Sequence, residues 1–412
     1  MPTPAGVSAA SRRTRPEWFK IPAFAGMTKR EQPVNITSID VYPIMSWRPH
    51  LFVTVTADDG TYGVGESGLS WQEKPIAAAI ERFSELVIGE DPMRTEHLWQ
   101  LMARASFFPA DRINCAAISA IDLALWDLKG KLLGQPVYNL VGGLVRDRIH
   151  CYTHNEGEDD PAQLIDDIER TVADGWRFAR WGFSGTTGEA FDPSDAVRKS
   201  VRAIEAVRSH FGPELELCVD VHTRIDLPDA LRYCRAVEDV NPYFVEDALR
   251  SERPESYRRL RERTSVPLAA GEQWFTKWGF ATAIEEELID YARIDLCLVG
   301  GFTEALKIAR WAETHHIQIV PHNPLGPVSS AAGAHLTLAA ANAGVLEMAK
   351  EPGTNLQDVF PQQAPFERGH ALPTDQPGWG ITFDAEAASR YPEPGVGYAP
   401  MLKRRDGSFT NW

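Results

Sequence analysis

The most constraining feature of this sequence is a repeated order of short apolar strand, loop and helix between residues 146 and 350. The predicted strands are HCYTH, RFARWG, LELCVD, YFVED, VPLAAG, ARIDL, IQIV and VLEM. Eight such strands that alternate with helices over about 200 residues favour a closed parallel βα barrel. A doubly wound open sheet is the main alternative. Its nucleotide-binding form is weakly supported, because no GxGxxG follows a strand and no Walker loop is present.

A different pattern precedes the barrel. Residues 36–145 begin with the alternating segments ITSIDVYPI and LFVTVTADDGTYGVGE, whose Asp-Asp-Gly predicts a tight turn. Two helical segments follow, so this region is expected to form an α+β domain. Residues 1–35 lack sustained periodicity and predict a disordered extension or a stretch ahead of a true start at Met27. Residues 351–412 are rich in Pro, Gly and aromatic side chains and predict an irregular tail that packs on another domain.

Charge and composition argue against several classes of partner. The 412 residues carry 42 Lys and Arg against 57 Asp and Glu, a formal net charge of −15. This charge argues against a nucleic-acid backbone or an anionic membrane surface as the main partner. No apolar run is long enough to predict a transmembrane helix. Five scattered cysteines without CxxC spacing predict reduced thiols in a cytoplasmic protein.

Three acids follow successive predicted strands. Asp220 ends LELCVD, Glu246 ends YFVE and Glu272 ends PLAAGE, at two intervals of 26 residues. Taken singly, each fits a helix cap or a solvated loop charge. Together they would meet at the carboxyl edge of a barrel, where active sites lie. Three converging carboxylates repel one another, and a divalent cation such as Mg²⁺ removes that cost.

Two histidines lie near the same edge. His222 comes two residues after Asp220, so strand alternation would place both side chains on one face. His322 follows the strand IQIVP, and Asp295 ends the preceding strand ARID. An Asp beside a His is a common way to poise a base near neutral pH. We therefore expect His322 and Asp295 to form a catalytic pair.

Several longer segments carry a family resemblance from Ile36 to Met348. They are SAIDLALWDLKGKLLGQPVYNLVGGLVRDRI, CVDVHTR, YFVED, PLAAGEQWFTKWGF, GGFTEALKIARWAE and PHNPLGP. The chain resembles the mandelate-racemase-like branch of the enolase superfamily, and within it the galactonate-type sugar-acid dehydratases. The resemblance implies a modified (β/α)₇β barrel of the TIM type, an N-terminal α+β capping domain, and a tail that returns to the cap.

The resemblance also implies roles for the residues at the strand ends. Asp220, Glu246 and Glu272 resemble the Mg²⁺ ligands. His322, supported by Asp295, resembles the base that removes the proton α to the substrate carboxylate. In the segment DVHTR, residue 222 resembles the acid that protonates the departing β-hydroxyl. Such chemistry needs a stabilised enediolate and an acid on the leaving group.

Further residues resemble the family's substrate-binding positions. Glu347 resembles the acid that hydrogen-bonds the substrate carboxylate. Trp47 and Arg48 fall where the family's substrate-closing loop lies; surface packing is the alternative for both. Racemases carry Lys-x-Lys on the second barrel strand, where this chain has Arg-Trp-Gly beginning at Arg180. Arg180 either faces the substrate carboxylate or forms a structural ion pair.

The expected activity is Mg²⁺-dependent dehydration of a sugar acid to a 2-keto-3-deoxy acid. The missing lysine base favours this chemistry over racemisation. Galactonate is the leading substrate, but galactonate enzymes typically have FYRGG where this chain has FFPAD, so mannonate, gluconate and pentonates stay open. An epimerase or racemase on the same scaffold, or a catalytically weak binding or regulatory homologue, are the alternatives. A homo-oligomer is expected from the resemblance.

Overall fold

The computed structural model of the chain describes residues 34–185, 190–399 and 401–411. Nearly all of the predicted N-terminal extension, residues 1–35, lies outside these residues, so its predicted disorder stays a prediction. The described residues belong to one unit that runs from Val34 to Trp412. No helix among them is both long and apolar enough to span a membrane.

The cap consists of one antiparallel sheet and four helices. Its strands, paired in this order, are β1 (Ile36–Met45), β2 (Pro49–Ala57) and β3 (Tyr62–Glu66). Its helices are α1 (Glu73–Val87), α2 (Thr95–Ala103), α3 (Arg112–Leu133) and α4 (Val137–Leu140). The predicted Asp-Asp-Gly turn joins β2 to β3, and Gly60 supplies its positive φ of 81°.

Two glycines allow β3 to lie directly on α3. A Cβ at Gly63 would be 2.0 Å from the carbonyl oxygen of Ala124, and one at Gly65 would be 1.9 Å from that of Ala120. No side chain fits at such an approach, so the spacing YGVGE determines how closely the cap sheet packs on its longest helix.

Eight parallel strands form the second part of the fold, and they lie at the eight predicted segments. They are β4 (Ile149–Asn155), β5 (Phe178–Gly182), β6 (Glu216–Asp220), β7 (Phe244–Glu246), β8 (Leu268–Ala270), β9 (Tyr291–Ala292), β10 (Gln318–Ile319) and β11 (Leu346–Glu347). Successive strands pair from β4 to β10, and β11 pairs in parallel with β4. A parallel bridge between Ile319 and Ala343 completes the ring.

Seven helices connect the eight strands. They are α5 (Pro161–Ala173), α6 (Pro193–Phe211), α7 (Leu227–Ala236), α8 (Tyr257–Arg261), α9 (Thr276–Glu285), α10 (Gly301–Thr314) and α11 (Pro327–Ala339). This order is the predicted (β/α)₇β barrel with an N-terminal cap, and the fold class is confirmed. The open doubly wound sheet is excluded, because its strand order would reverse at a switch point instead of closing on β4.

The tail after β11 contacts both parts of the molecule. It contains the hairpin β12 (Phe366–Glu367) and β13 (His370–Ala371) and the helix α12 (Ala385–Ser389). β13 pairs with β4 of the barrel. Trp379 donates its backbone N–H to the carboxylate of Asp127 on α3 at 2.8 Å. The predicted boundaries at residues 145 and 350 stay predictions, because the described cap, barrel and tail form one unit.

Candidate active site

Three carboxylates meet at the carboxyl edge of the barrel. Asp220 and Glu246 are the last residues of the paired strands β6 and β7, and Glu272 lies two residues beyond β8. One oxygen from each of the three lies within 4.8 Å of the others. Asp220 and Glu246 are fully buried. The structure therefore brings together the three acids that strand spacing predicts.

Mutual repulsion and burial disturb the ionisation of these acids. Burial raises the pKa of Glu246 to about 7, although Arg293 opposes the shift. Burial, together with the charges of Asp247 and Asp220, raises the pKa of Glu272 well above its ordinary value. The pKa of Asp220 is lowered despite burial, because His222 and Arg180 stabilise its charge. Oxygen Oε2 of Glu246 is buried without a hydrogen-bond partner among the described residues.

These features fit a divalent cation. A hard cation prefers carboxylate oxygens, and its charge would relieve the repulsion that the raised pKa values of Glu246 and Glu272 report. The buried oxygen of Glu246 would gain the partner that it lacks among the described side chains. The residues that would hold the ion are Asp220, Glu246 and Glu272.

His322 lies at one end of the carboxylate row. Its Nδ1 is 2.8 Å from Oδ2 of Asp295, and its Nε2 is 3.3 Å from Oε2 of Glu272. A backbone bridge between residues 295 and 322 holds this pair, as the strand-end spacing predicts. Burial lowers the pKa of His322, but Glu272, Glu347 and the hydrogen bond to Asp295 raise it to about 9.

His222 lies at the other end of the row. Its Nε2 is 2.6 Å from Oδ2 of Asp220 and 3.1 Å from Nη2 of Arg180. Burial lowers the pKa of His222 to about 4, against the effect of Asp220. The two side chains lie together, but strand alternation, the predicted reason, is not the cause. His222 has a φ of +50° and lies in a turn after β6, so the turn aims its side chain.

Arg180 and Glu347 take part in ion pairs inside the barrel. Arg180, on β5, contacts the carboxylate of Asp220. Glu347 contacts His154 on β4 at 2.6 Å and pairs with Arg293 through its other oxygen at 2.5 Å. The structural ion pair, one of the two alternatives for Arg180, is therefore present in the structure.

A cavity of about 640 Å³ opens above the carboxylates. Predicted residues that line it are Arg48, Arg180, His222, Glu272, Asp295, His322 and Glu347. Trp47 does not line it, because its ring lies on the surface between the guanidinium of Arg48 and the ammonium of Lys350, each 5.3 Å from its centroid. The structure thus brings Arg48 to the cavity and leaves Trp47 outside.

Sequence reasoning missed three contributors to the site. His154 lines the cavity and lies at the end of the predicted strand HCYTH. A polar residue at a strand end is the same signal that identified Asp220. Arg293 is fully buried and contacts both Glu246 and Glu347; a charged residue inside the apolar segment ARIDL was its signal. The third contributor is residues 397–399 of the tail, which line the cavity mouth and carried no sequence signal.

Comparison with known families agrees with this architecture. The mandelate racemase/muconate lactonizing enzyme N-terminal domain matches residues 26–142, and the enolase C-terminal domain-like family matches residues 163–388. The chain belongs to the mandelate racemase/muconate lactonizing enzyme family of the enolase superfamily. The family resemblance predicted from the sequence is therefore confirmed.

Individual members of this family match most of the chain. A D-galactonate dehydratase family member of Streptomyces bingchenggensis is 37% identical over 407 residues, 92% of this chain and 98% of that relative. D-galactonate dehydratase of Ralstonia pickettii is 36% identical, covering 88% of this chain and 96% of its own. The crystal structure of an enolase from Pantoea ananatis, with bound D-gluconate and Mg, has a TM-score of 0.88 and 28% identity over 92% of this chain and all of that one.

Proposed function

We propose that this protein is a Mg²⁺-dependent sugar-acid dehydratase that converts a hexonate such as galactonate to a 2-keto-3-deoxy acid. The observation that carries the proposal is the row of three carboxylates with one histidine at each end. The D-galactonate dehydratase relatives and the gluconate-bound neighbour support the substrate class.

A Mg²⁺ ion held by Asp220, Glu246 and Glu272 would supply positive charge against the negative charge that develops on the substrate carboxylate. Asp295 holds Nδ1 of His322. A cation held by Glu272 would offset the negative charge that raises the pKa of His322, so that Nε2, at the cavity, can accept the α-proton. The electron pair of the broken C–H bond then expels the β-hydroxyl. His222 donates the proton with which that hydroxyl leaves as water, and the resulting enol becomes the 2-keto acid. Because burial lowers the pKa of His222 to about 4 in the free protein, this step requires the bound substrate anion to raise that pKa.

A second set of contacts orients the substrate. His154 and Glu347 form a hydrogen-bonded pair at the cavity wall, and Arg48 reaches the cavity from the cap loop between β1 and β2. The arginine donates to the carbonyl of Pro324 and to the hydroxyl of Ser70. These groups place hydrogen-bonding side chains on two sides of a polyhydroxy anion, which favours a hydroxylated substrate.

A screen of hexonates and pentonates tests the proposal. Each acid is incubated with the protein and Mg²⁺ in D₂O, and both 2-keto acid formation and deuterium at the α-carbon are measured. We expect at least one acid to give a keto acid that EDTA suppresses, and His322→Asn to be the inactive control. Deuterium uptake without loss of water would instead identify an epimerase or racemase. Absence of both reactions for every acid would contradict the proposal and favour a catalytically weak homologue.

Assembly and location extend the proposal. We propose a homo-oligomer, as the resemblance implies, and a cytoplasmic location, as the scattered cysteines without CxxC spacing predict. Light scattering coupled to size-exclusion chromatography would measure the mass of the assembly, and a monomeric mass of 45.8 kDa would contradict the first part.

A further inference from the structure

The end of the chain crosses the mouth of the barrel. We call residues 392–399 and 401–411 the C-terminal strap. It leaves the cap where Met45 donates its N–H to the carbonyl of Pro392 at 2.8 Å. Gly397 packs beneath the indole of Trp71, where any Cβ would lie 2.2 Å from the ring, and residues 397–399 line the cavity. The strap therefore joins the cap to the far side of the barrel mouth.

Beyond the mouth, the strap folds into a short hairpin that docks on barrel loops. The N–H of Thr410 donates to the carbonyl of Leu402, and an antiparallel bridge joins Lys403 to Phe409. The carbonyl of Lys403 accepts the N–H of Phe191, in the loop between β5 and α6, at 2.7 Å. These contacts give the hairpin a defined position against the loops that follow β5 and β6.

The tip of the strap contacts the turn that carries His222. Asn411 donates through Nδ2 to the hydroxyl of Thr223 at 3.2 Å. The hydroxyl of Thr410 donates to the carbonyl of Arg224 at 2.9 Å. The two bonds therefore reach Thr223 and Arg224, the two residues after His222. His222 itself contacts Asp220, the candidate metal ligand at the end of β6.

That turn is strained. His222 and Thr223 have φ values of +50° and +57°, and neither is glycine. In this region the Cβ of a non-glycine residue crowds the backbone, so the conformation persists only where surrounding contacts impose it. One such contact is internal to the barrel, from the N–H of Thr223 to the carbonyl of Asp247 at 2.9 Å. A second barrel contact runs from the N–H of His222 to Oδ1 of Asp220 at 2.8 Å, and the strap adds two more.

We infer that the C-terminal strap holds His222 in its catalytic position by clamping this strained turn, which makes Thr410 and Asn411 positioning residues. The inference rests on the proposed function only for the role of His222 as proton donor. The clamp itself is a property of the chain and is measurable without substrate.

Two variants each weaken the clamp, a third tests rescue, and a fourth serves as the matched control. Asn411→Ala and Thr410→Val each delete one bond to the turn, whereas Thr410→Ser keeps the hydroxyl and should rescue. Ser408→Ala lies in the same hairpin, but the side chain of Ser408 bonds only to Asp406 among the described contacts. Thermal unfolding of each variant establishes that it is folded.

The first measurement is hydrogen–deuterium exchange of peptides covering residues 216–226 in the metal-free protein. We expect the amides of Thr223 and Arg224 to exchange about tenfold faster in Asn411→Ala and Thr410→Val than in Ser408→Ala. Equal exchange in all three proteins would overturn the inference.

The second measurement separates the two proton transfers, with D-galactonate and D-gluconate as probes in D₂O. Displacing His222 should lower keto-acid formation about tenfold, while deuterium exchange at the α-carbon, which depends on His322, changes less than about twofold. The positioning role would be overturned if both rates fell by the same factor, or if neither rate fell. If the wild type performs neither reaction on any acid, the proposed function fails, and amide exchange alone decides whether the strap clamps the turn.

Discussion

At the scale of single residues, the two histidines of the site differ in the carboxylates that they contact. His222 contacts Asp220, at the β6 end of the ligand row, whereas His322 contacts Glu272 and Asp295 at the other end. A substrate bound between them would meet one imidazole at each end. This separation allows one histidine to act on the α-proton and the other on the leaving hydroxyl.

Replacement of each histidine should therefore affect different steps. We expect His322→Asn to lower both α-proton exchange and keto-acid formation by about 10²-fold or more. We expect His222→Asn to lower keto-acid formation by a similar factor and to retain exchange. NMR of the substrate in D₂O measures both rates in one sample. Exchange that survives in His322→Asn and disappears in His222→Asn would reverse the two roles.

The carboxylate row predicts a link between metal binding and stability. In Glu272→Gln, one charge is removed from a cluster in which burial and neighbouring acids already raise the pKa of Glu272. We expect the melting temperature in EDTA to be equal to or above that of the wild type, and the increase produced by Mg²⁺ to be largely lost. Thermal unfolding with and without Mg²⁺ tests this. A variant that melts lower in EDTA and keeps the full Mg²⁺ increase would contradict the assignment.

At the scale of elements, α11 connects the cap and the tail through one buried imidazole. Nδ1 of His335 accepts the N–H of Tyr138, on α4, at 3.0 Å, and Nε2 donates to the carbonyl of Trp379 at 3.2 Å. This pattern requires the neutral ring, because one nitrogen accepts while the other donates. Burial accordingly lowers the pKa of His335 to about 4.

A pH dependence of stability follows from this shift. The folded pKa lies below the unfolded value of about 6.5, so the neutral ring's contribution is complete above pH 6.5 and is lost as the pH falls through 4. The expected loss is about 3 kcal/mol across that window. Urea unfolding between pH 7.5 and 4.5 measures it. His335→Gln should reduce the slope, while His210→Gln, at an exposed site, should not; equal slopes would contradict the prediction.

At the scale of the whole molecule, one carboxylate joins the cap sheet, the cap helix and the tail. Asp127, fully buried on α3, accepts the N–H groups of Val64 on β3 and of Trp379 in the tail, at 2.9 and 2.8 Å. It also pairs with Lys131 at 2.6 Å. The carboxylate of Asp127 therefore links β3, α3 and the tail directly.

Loss of this carboxylate should destabilise the entire fold. We expect Asp127→Ala to lower the free energy of unfolding by about 3 kcal/mol, because two buried N–H groups lose their acceptor. Asp147→Ala is the matched control, since Asp147 is exposed and pairs only with the exposed Arg148 among the described residues. Urea unfolding monitored by tryptophan fluorescence compares the two. Equal free energies would show that water or a rearranged loop replaces the carboxylate.

The sequence predicted the barrel strands and the acids because both depend on local order along the chain. Each acid ends an apolar segment, and parallel strands bring their carboxyl ends to one edge of the barrel independently of the loop conformations. His154 follows the same rule and could have been found by applying it to the first barrel strand. Arg293 and the strap are different, because their partners lie on other segments: Arg293 contacts Glu347, and Asn411 contacts Thr223.

Apolar periodicity and strand-end chemistry, which are properties of short segments, predicted by themselves a βα barrel, the meeting of the three carboxylates and the pairing of His322 with Asp295. Tertiary structure alone decided which polar groups face the cavity. His222 is oriented by a turn with left-handed backbone, Trp47 lies outside the cavity, and the strap crosses the mouth of the barrel. The physical reason is that side-chain direction in turns and the docking of irregular segments depend on contacts between residues far apart in the chain, which no local pattern encodes.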